Sequence, residues 1–367
     1  MKIQVDARLL HGGGIGRYIR EIVGRWLAES SVERMRLFGR PAELGPWLEQ
    51  HDARGLSDVV PWGDPPYSPA GQLRWPSLAR RGHWAADITF FPHYDVPLWA
   101  HPTPSLVAIH DLIQFKHPEG FPTWKRAAGR MLLQGAIEKC AGIVTVSEYS
   151  RAAIEDFSAS AAGKTRVVPN GVAAIFSPPT EEELRTARDR WAEHLPFVMT
   201  VGPAKRHKGL ETAVRAVAMA REQGHDLALL MVGLRPGDRD RLAGAHGPDA
   251  AGWIVDTGPL GDGDLRDLYA LCVALMHPSL AEGFGLVAVE ALACGGRVLA
   301  SRIPVTEEIL GEHATFIPAG DTEAWRDGVL EAAASPRPRS VAPPAIPRWD
   351  AAARTTLDIA IQVAGKG

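Results

Sequence analysis

What this chain lacks narrows its possibilities first. It has three cysteines in 367 residues, Cys140, Cys272 and Cys294. They are widely spaced in apolar surroundings, so they form neither a disulfide framework nor a thiolate metal site. They read as small buried hydrophobes, in keeping with a reducing cytoplasm. No His/Cys cluster has metal-ligand spacing either. No uncharged apolar run approaches the roughly 18–20 residues that span a bilayer. No secretory signal is legible, because Lys2-Ile-Gln-Val-Asp6 already reads as a strand. Net charge is −3, so no overall field favours nucleic acid or an acidic membrane. The expectation is a cytoplasmic protein, soluble or attached peripherally at the inner face of the membrane, with no nucleic-acid partner. A complete dinucleotide fingerprint is missing too. In His11-Gly-Gly-Gly-Ile-Gly16-Arg17-Tyr18 the third glycine position falls on Arg17 or Ile19, and no acid ends the next strand at Phe38-Gly39.

What is present is an ordinary globular composition, 46% hydrophobic and 23% charged, at a length that favours two domains. Strand and helix patterns alternate throughout, which argues for α/β layers with parallel sheets. In the first half the pattern places strands near residues 3–5, 35–38, 88–91, 105–109, 142–146 and 166–168. Helices fall near 16–28, 125–141 and 148–157. The turn pair Asn170-Gly171 marks a break, and a linker follows around 173–180. Thr180, with Glu183 three residues on, opens a charged helix. The second half places strands near 197–201, 226–232, 253–256, 273–276, 297–300 and 315–317. Residues 335–347 are proline-rich and read as an extended connector, and a helix runs from Trp349 to Ala364. The expected division is 1–174, 175–345 and a C-terminal helical segment, 346–367.

Glu282 and Glu290 form the most informative pair. They lie in His277-Pro-Ser-Leu-Ala-Glu282-Gly283-Phe284-Gly285-Leu286-Val-Ala-Val-Glu290, between a buried strand and a buried helix. A helix opening after a strand presents unpaired N–H groups to anions. One carboxylate in the loop and one a turn into the helix can bind two sets of hydroxyls while the N–H groups face phosphate. A sugar joined through phosphate to ribose has that pattern. The whole string, continuing to Gly295-Gly-Arg-Val-Leu-Ala-Ser301, resembles the E-x7-E motif of family 4 retaining glycosyltransferases. That resemblance implies the GT-B architecture: two Rossmann-like domains whose parallel sheets face across a cleft. The first domain would bind acceptor and the second nucleotide sugar, with the last helix crossing back to the first domain. It also implies that Glu282 and the adjoining Gly283, Phe284, Gly285 and Leu286 meet the donor sugar, and that Glu290 binds the ribose.

Other segments match the family in the expected order. The glycine run resembles its GGIGRY segment, which implies that Gly14 and Gly16 face the donor phosphate; by itself the run is equally a tight strand–helix turn. Ile109-His110-Asp111-Leu112 resembles the IHDL segment, whose histidine contacts the donor sugar. Thr89-Phe-Phe-Pro-His93-Tyr94-Asp95 resembles the PHYNVP stretch of a subset, with Asp95 in place of asparagine. His93 and Tyr94 are acceptor-side candidates or parts of a packed turn. Gly202-Pro-Ala-Lys205-Arg206-His207-Lys208-Gly209-Leu210 is similar to the variant ending His-Lys-Asn-Leu, with glycine for asparagine. Lys205, Arg206 and Lys208 then become the diphosphate clamp, Lys208 first. Gly233 and Leu260 end successive strands and either wall the base pocket or make ordinary turns. Asp238-Arg-Asp240 and Asp262-Gly-Asp264 formally match the metal–nucleotide motif D-x-D. Both read as helix-start or loop aspartates, so no metal and no cofactor is expected.

The implied activity is retaining transfer of a hexose from a nucleotide-diphosphate sugar to a saccharide or lipid-linked acceptor. In the family the leaving diphosphate is thought to help deprotonate the acceptor on the same face. The PHYNVP-like and His-Lys variants are similar to those of bacterial surface-polysaccharide mannosyltransferases, which points to GDP-mannose first, with UDP- and dTDP-linked sugars left open. A nucleotide-sugar epimerase or sugar phosphorylase on the same fold, or a non-catalytic nucleotide-sugar-binding protein, are the rival readings. Trp124-Lys-Arg126 and Arg130 lie on one helix, which either meets anionic lipid or is simply solvated.

Overall fold

The structure is a computed structural model. It describes the chain except residues 54, 80, 82–83, 100, 103, 117–121, 245, 247–248, 336–345 and 366–367. Most of the proline-rich connector read over 335–347 therefore lies outside the described residues. The chain forms two compact units, Met1–Gly171 with Pro347–Gly367, and Val172–Ile346.

The first unit is a parallel sheet of seven strands: β1 (Lys2–Asp6), β2 (Arg34–Gly39), β3 (Ser57–Pro61), β4 (Ile88–Phe91), β5 (Ser105–Ala108), β6 (Gly142–Thr145) and β7 (Thr165–Val167). Their order is β3-β2-β1-β4-β5-β6-β7. Strands β4, β5 and β6 are buried along their whole length. Full burial explains their mostly apolar sequences, broken only by the small polar residues Thr89, Ser105 and Thr145, since helices cover both faces of such a sheet. The second unit has six parallel strands: β8 (Phe197–Val201), β9 (Ala228–Val232), β10 (Ile254–Gly258), β11 (Leu275–His277), β12 (Val298–Ser301) and β13 (Thr315–Ile317). Their order is β10-β9-β8-β11-β12-β13. In each sheet the strand order reverses once, between β1 and β4 and between β8 and β11. Ligands of open α/β sheets bind at the carboxyl ends of the strands beside such a reversal.

Besides the short turns Ile113–Lys116 and Ala159–Ala161, the sequence pattern missed β3 and the helices Pro41–Gln50 and Pro69–Ala79 of the first unit. The latter three contain proline inside or at the end: Pro61, Pro46 and Pro76. Proline is tolerated in β3 because that strand is the edge of the sheet, where its missing N–H breaks no ladder. The apolar content of Ser57-Asp-Val-Val-Pro61 is too small for a periodic signal. The helix Glu181–Arg190 starts where its residues dictate: Thr180 accepts from Glu183 N, and the Glu183 carboxylate takes Thr180 N in return.

The final helix, Trp349–Ala364, belongs to the first unit. Trp349 is buried and packs edge-on to Tyr18 of the helix Gly13–Trp26. Trp26 in turn donates its indole N–H to Ala353 O at 2.9 Å. Gly171 lies so close to this helix start that a Cβ there would overlap the backbone nitrogen of Trp349. Gly171→Ala is expected to cost about 1–3 kcal/mol by overpacking. Chemical denaturation should show the loss, with earlier proteolytic cleavage of the last helix; an unchanged midpoint would mean the helix start tolerates displacement.

Candidate active site

Glu282 is built into the second unit at the reversal between β8 and β11. It follows β11 in the loop 278–285 and is 9% exposed. Its Oε1 accepts from Lys208 Nζ at 2.6 Å and from Ser279 Oγ at 2.7 Å. His277 Nε2 stands 3.3 Å away. Lys208 ends the short 3-10 turn Arg206–Lys208 that follows β8. The ion pair therefore spans the crevice between the two strands that flank the reversal. A backbone bond holds the same two loops together, Leu280 N to His207 O at 2.7 Å. Gly209 makes the close approach feasible: its φ is +63° and a Cβ would overlap Pro278 O.

The electrostatics follow from this geometry. Burial pushes Glu282 upward, but the Lys208 ammonium, His277 and the hydrogen bonds from Lys208 and Ser279 outweigh it and hold the carboxyl at about 2. Burial and Lys208 push His277 down to about 4 against the pull of Glu282, so its imidazole is neutral near pH 7. Glu282 thus stays an anion, an acceptor for hydroxyls. The ammonium of Lys208 has three donors and spends one on the carboxylate.

Glu290 sits in the helix Leu286–Ala293, which Gly285 opens in the left-handed region at φ +83°. It is 2% exposed, and Tyr269 Oη lies 3.4 Å from its Oε2. Gly283, Phe284 and Gly285 are buried and Leu286 is half-exposed. Lys205 and Arg206 follow β8, Gly233 follows β9 with φ +77°, and Leu260 follows β10. Because all these strands run parallel, the residues gather at one end of the sheet, that of Lys208 and Glu282. Asp238 accepts from Ala204 N at 3.3 Å and Arg235 N at 3.2 Å, tying the loops after β8 and β9. Asp264, in the first turn of the helix Asp262–Leu271, pairs with Arg190 at 2.6 Å. The described residues contain no group of three or more His, Cys, Asp or Glu side chains arranged to hold a metal.

The first unit holds the remaining candidates. His110 follows β5; its Nε2 donates to Pro92 O at 2.9 Å and its ring stands edge-on to Tyr18. A carbonyl only accepts, so Nε2 carries the proton and Nδ1 is left as an acceptor. Burial pushes its pKa down, against the Pro92 bond and Asp111. Gly14 is exposed in the first turn of the helix Gly13–Trp26. Gly16 is buried, and a Cβ there would stand 2.6 Å from Leu10 O, so its glycine is required by the tightness of the turn.

His93 is closed into a network that sequence reasoning missed. At the reversal between β1 and β4, Asp6 Oδ2 is 3.2 Å from His93 Nε2 and 2.7 Å from Arg8 Nη2. The same Arg8 nitrogen reaches Asp95 Oδ2 at 2.9 Å, and Asp95 also takes Tyr67 N and Gln72 Nε2. Burial of Asp6 is outweighed by Arg8 and His93, which keep its pKa well below the usual carboxylate range. Tyr94 is half-buried, receives Gln114 Nε2 on its hydroxyl, and is pushed up to about 12, mainly by burial. The one available signal was an acid at the end of β1; its partner His93, far along the chain, is assigned only by strand order.

Replacing Lys208 by Met strands a buried carboxylate. The expected cost at pH 7 is about 2–3 kcal/mol, below the ~3–5 of a fully enclosed pair because Lys208 is 23% exposed. The folded pKa of Glu282 lies below its unfolded value of about 4.3. The pair's contribution is therefore full above about pH 5 and lost as pH falls toward 2. Denaturation at several pH values should show the deficit of Lys208→Met shrinking on acidification; a pH-independent deficit would contradict the ion pair.

Known proteins resemble both halves of the chain. The family model for Glycosyltransferase Family 4 matches residues 12–176, and that for glycosyl transferases group 1 matches residues 182–343. O-antigen chain mannosyltransferase B of Escherichia coli is 25% identical over 87% of this chain and 86% of its own. The serotype-specific mannosyltransferase WbdA of the same organism is 27% identical over 65% of this chain, a stretch that is 29% of that protein. Two solved structures share the fold over the whole chain. Anabaena HepE, in complex with UDP and glucose, aligns at TM-score 0.73 and 19% identity, covering 99% of its chain. Sucrose-phosphate synthase of Thermosynechococcus elongatus aligns at 0.75 and 20%, covering 100%. With two Rossmann-like parallel sheets and family-model matches across both units, the chain is a GT-B glycosyltransferase and belongs to family 4.

Proposed function

We propose that the enzyme transfers mannose from GDP-mannose, with retention and without a metal, to a saccharide or lipid-linked saccharide acceptor in polysaccharide or glycoconjugate synthesis. The observation that supports this best is the Lys208–Glu282 pair across the β8/β11 reversal. It sets an ammonium beside a permanent anion where a nucleotide-binding sheet receives its ligand. Lys208, with Lys205 and Arg206, offers charge to the departing diphosphate. Glu282 and the neutral His110 orient the sugar, and Glu290 holds the ribose. No side-chain base is assigned: the leaving diphosphate takes the acceptor proton on the same face. The mannose assignment is supported by the O-antigen mannosyltransferases among the relatives. HepE, solved with UDP-glucose, favours a UDP-hexose as the competing donor. The two aspartate pairs have reasons within the fold, a loop tie at Asp238 and a pairing with Arg190 at Asp264.

Calorimetric titration of GDP, UDP and dTDP decides the donor class, with GDP expected to bind most tightly. Glu290→Gln should weaken free GDP and intact donor alike. Glu282→Gln should leave free GDP nearly unchanged and lower turnover of the donor, at about 1.5–3 kcal/mol per charge-assisted bond lost. The reverse pattern would exchange the two roles. Tightest binding of UDP would move the donor to a UDP-hexose.

Release of nucleotide diphosphate should require acceptor and persist in excess EDTA. Complete loss, restored by manganese or magnesium, would reopen Asp238, Asp240, Asp262 and Asp264 as ligands. Release without acceptor would favour the epimerase or phosphorylase reading.

A further inference from the structure

The loop 62–68, between β3 and the helix Pro69–Ala79, holds Tyr67 in a conformation that bulky side chains rarely enter. Its φ is +62°, in the left-handed region. Such strain persists only where the surroundings impose it, and it gathers at ligand sites. Here Asp95 imposes it. Asp95 Oδ2 takes Tyr67 N at 2.7 Å and Arg8 Nη2 at 2.9 Å, and Oδ1 takes Gln72 Nε2 at 3.1 Å. A carboxylate accepts all of these at once. An amide at position 95 would set its own NH2 against one of the donors.

The strain stands an aromatic ring in the open. Tyr67 is 42% exposed. Its ring centroid lies 5.3 Å from that of Tyr94 and 5.8 Å from that of buried His93. His93 is held in turn by Asp6, so the tyrosine pair rests on a rigid base. Tyr67, Tyr94 and Asp111 follow the parallel strands β3, β4 and β5. They therefore gather at the carboxyl end of the sheet, where open α/β sheets receive ligands. Burial raises the pKa of both phenols and the Asp111 charge adds to the rise, so both hydroxyls stay protonated donors. Asp111 Oδ1 takes Ile113 N at 3.0 Å, which leaves most of the carboxylate's acceptor sites for other donors.

Shape and charge identify the ligand. A pyranose has an apolar C–H face and a rim of hydroxyls. Aromatic rings edged by hydroxyl donors and a carboxylate acceptor match both. The surroundings are acidic: Arg8 is paired with Asp6 and Asp95, and Lys116 donates to Tyr149 Oη at 3.2 Å. An acidic sugar or a phosphate would be repelled there.

We propose that Tyr67 and Tyr94 form the platform on which a neutral pyranose ring of the acceptor stacks, with Asp111 taking its hydroxyls and Asp95 positioning Tyr67. This rests on the reading of the acceptor as a saccharide and is independent of the donor's identity.

The test is saturation-transfer NMR of the full chain with methyl mannoside, glucoside, galactoside and glucuronoside. Transfer to the C–H protons of one ring face is expected for a neutral pyranoside and not for the glucuronoside. Tyr67→Phe should keep the signal. Tyr67→Gly should weaken binding on the order of tenfold. Its unfolding midpoint should hold or rise, because glycine is unstrained at this φ. A tyrosine kept only for packing would show the opposite, a lower midpoint with the sugar still bound. Asp95→Asn should weaken the same binding, and GDP affinity should match the parent in each variant. No neutral pyranoside bound by the parent, equal binding by Tyr67→Gly, or equal binding of the glucuronoside overturns the proposal. Sugar binding that depends on Tyr67 in a chain that ignores GDP sustains it and removes only the donor assignment.

Discussion

The second unit depends on one buried carboxylate. An isolated Glu282 anion out of water would be strongly unfavourable and would take up a proton. Lys208, Ser279 and His277 converge on it because β8 and β11 are neighbours at the point where the strand order reverses. Much else follows from that adjacency. Gly209 must be glycine for the two loops to touch, and Gly285 must turn left-handed for the next helix to open. The loop hydrogen bond from Leu280 to His207 keeps both backbones at that spacing. The arrangement also has chemical use: Lys208, His277 and Ser279 outweigh burial and keep Glu282 an anion, while burial keeps His277 a neutral ring across the physiological range.

The first unit solves the same topological problem differently. Its reversal between β1 and β4 is also bridged by an acid–base cluster, Asp6, Arg8, His93 and Asp95. There the charges are spent on one another and on Tyr67 N and Gln72 Nε2. Arg8 additionally lies over the ring of Trp62, 3.4 Å from its centroid. Such a network is costly to break and gives little to a ligand. It fixes the loop from His93 to Leu98, and through Pro92 O it fixes the ring of His110. Tyr94 is half-buried and retains more surface than His93. The two reversals therefore divide the labour, one rigidly tied and one holding a lysine and a carboxylate with hydrogen-bonding capacity left over.

Much of the fold was legible before any coordinates. Apolar runs such as Ile143-Val-Thr-Val146 and Phe197-Val-Met-Thr-Val201 are strands because buried parallel strands need apolar side chains on both faces. Thr180 and Glu183 marked a helix start through a local hydrogen-bond exchange that no distant contact alters. Among the elements that escaped, β3 and the two proline-bearing helices hold their form through tertiary packing against intrinsic propensity.

The sequence by itself determined the chemistry available at each strand end: the pair Glu282 and Glu290, the basic run Lys205 to Lys208, and His110 after a buried strand. These are local facts, set by residue type and by the short distance from strand to loop. Tertiary structure alone decided who meets whom. It put Lys208 on Glu282 across 74 residues of chain, Tyr269 beside Glu290, and Asp95 with Arg8 across 87. Such partners are chosen by the order of strands in a sheet. That order minimises exposed apolar surface over the whole unit, a sum to which no short stretch of sequence holds the answer.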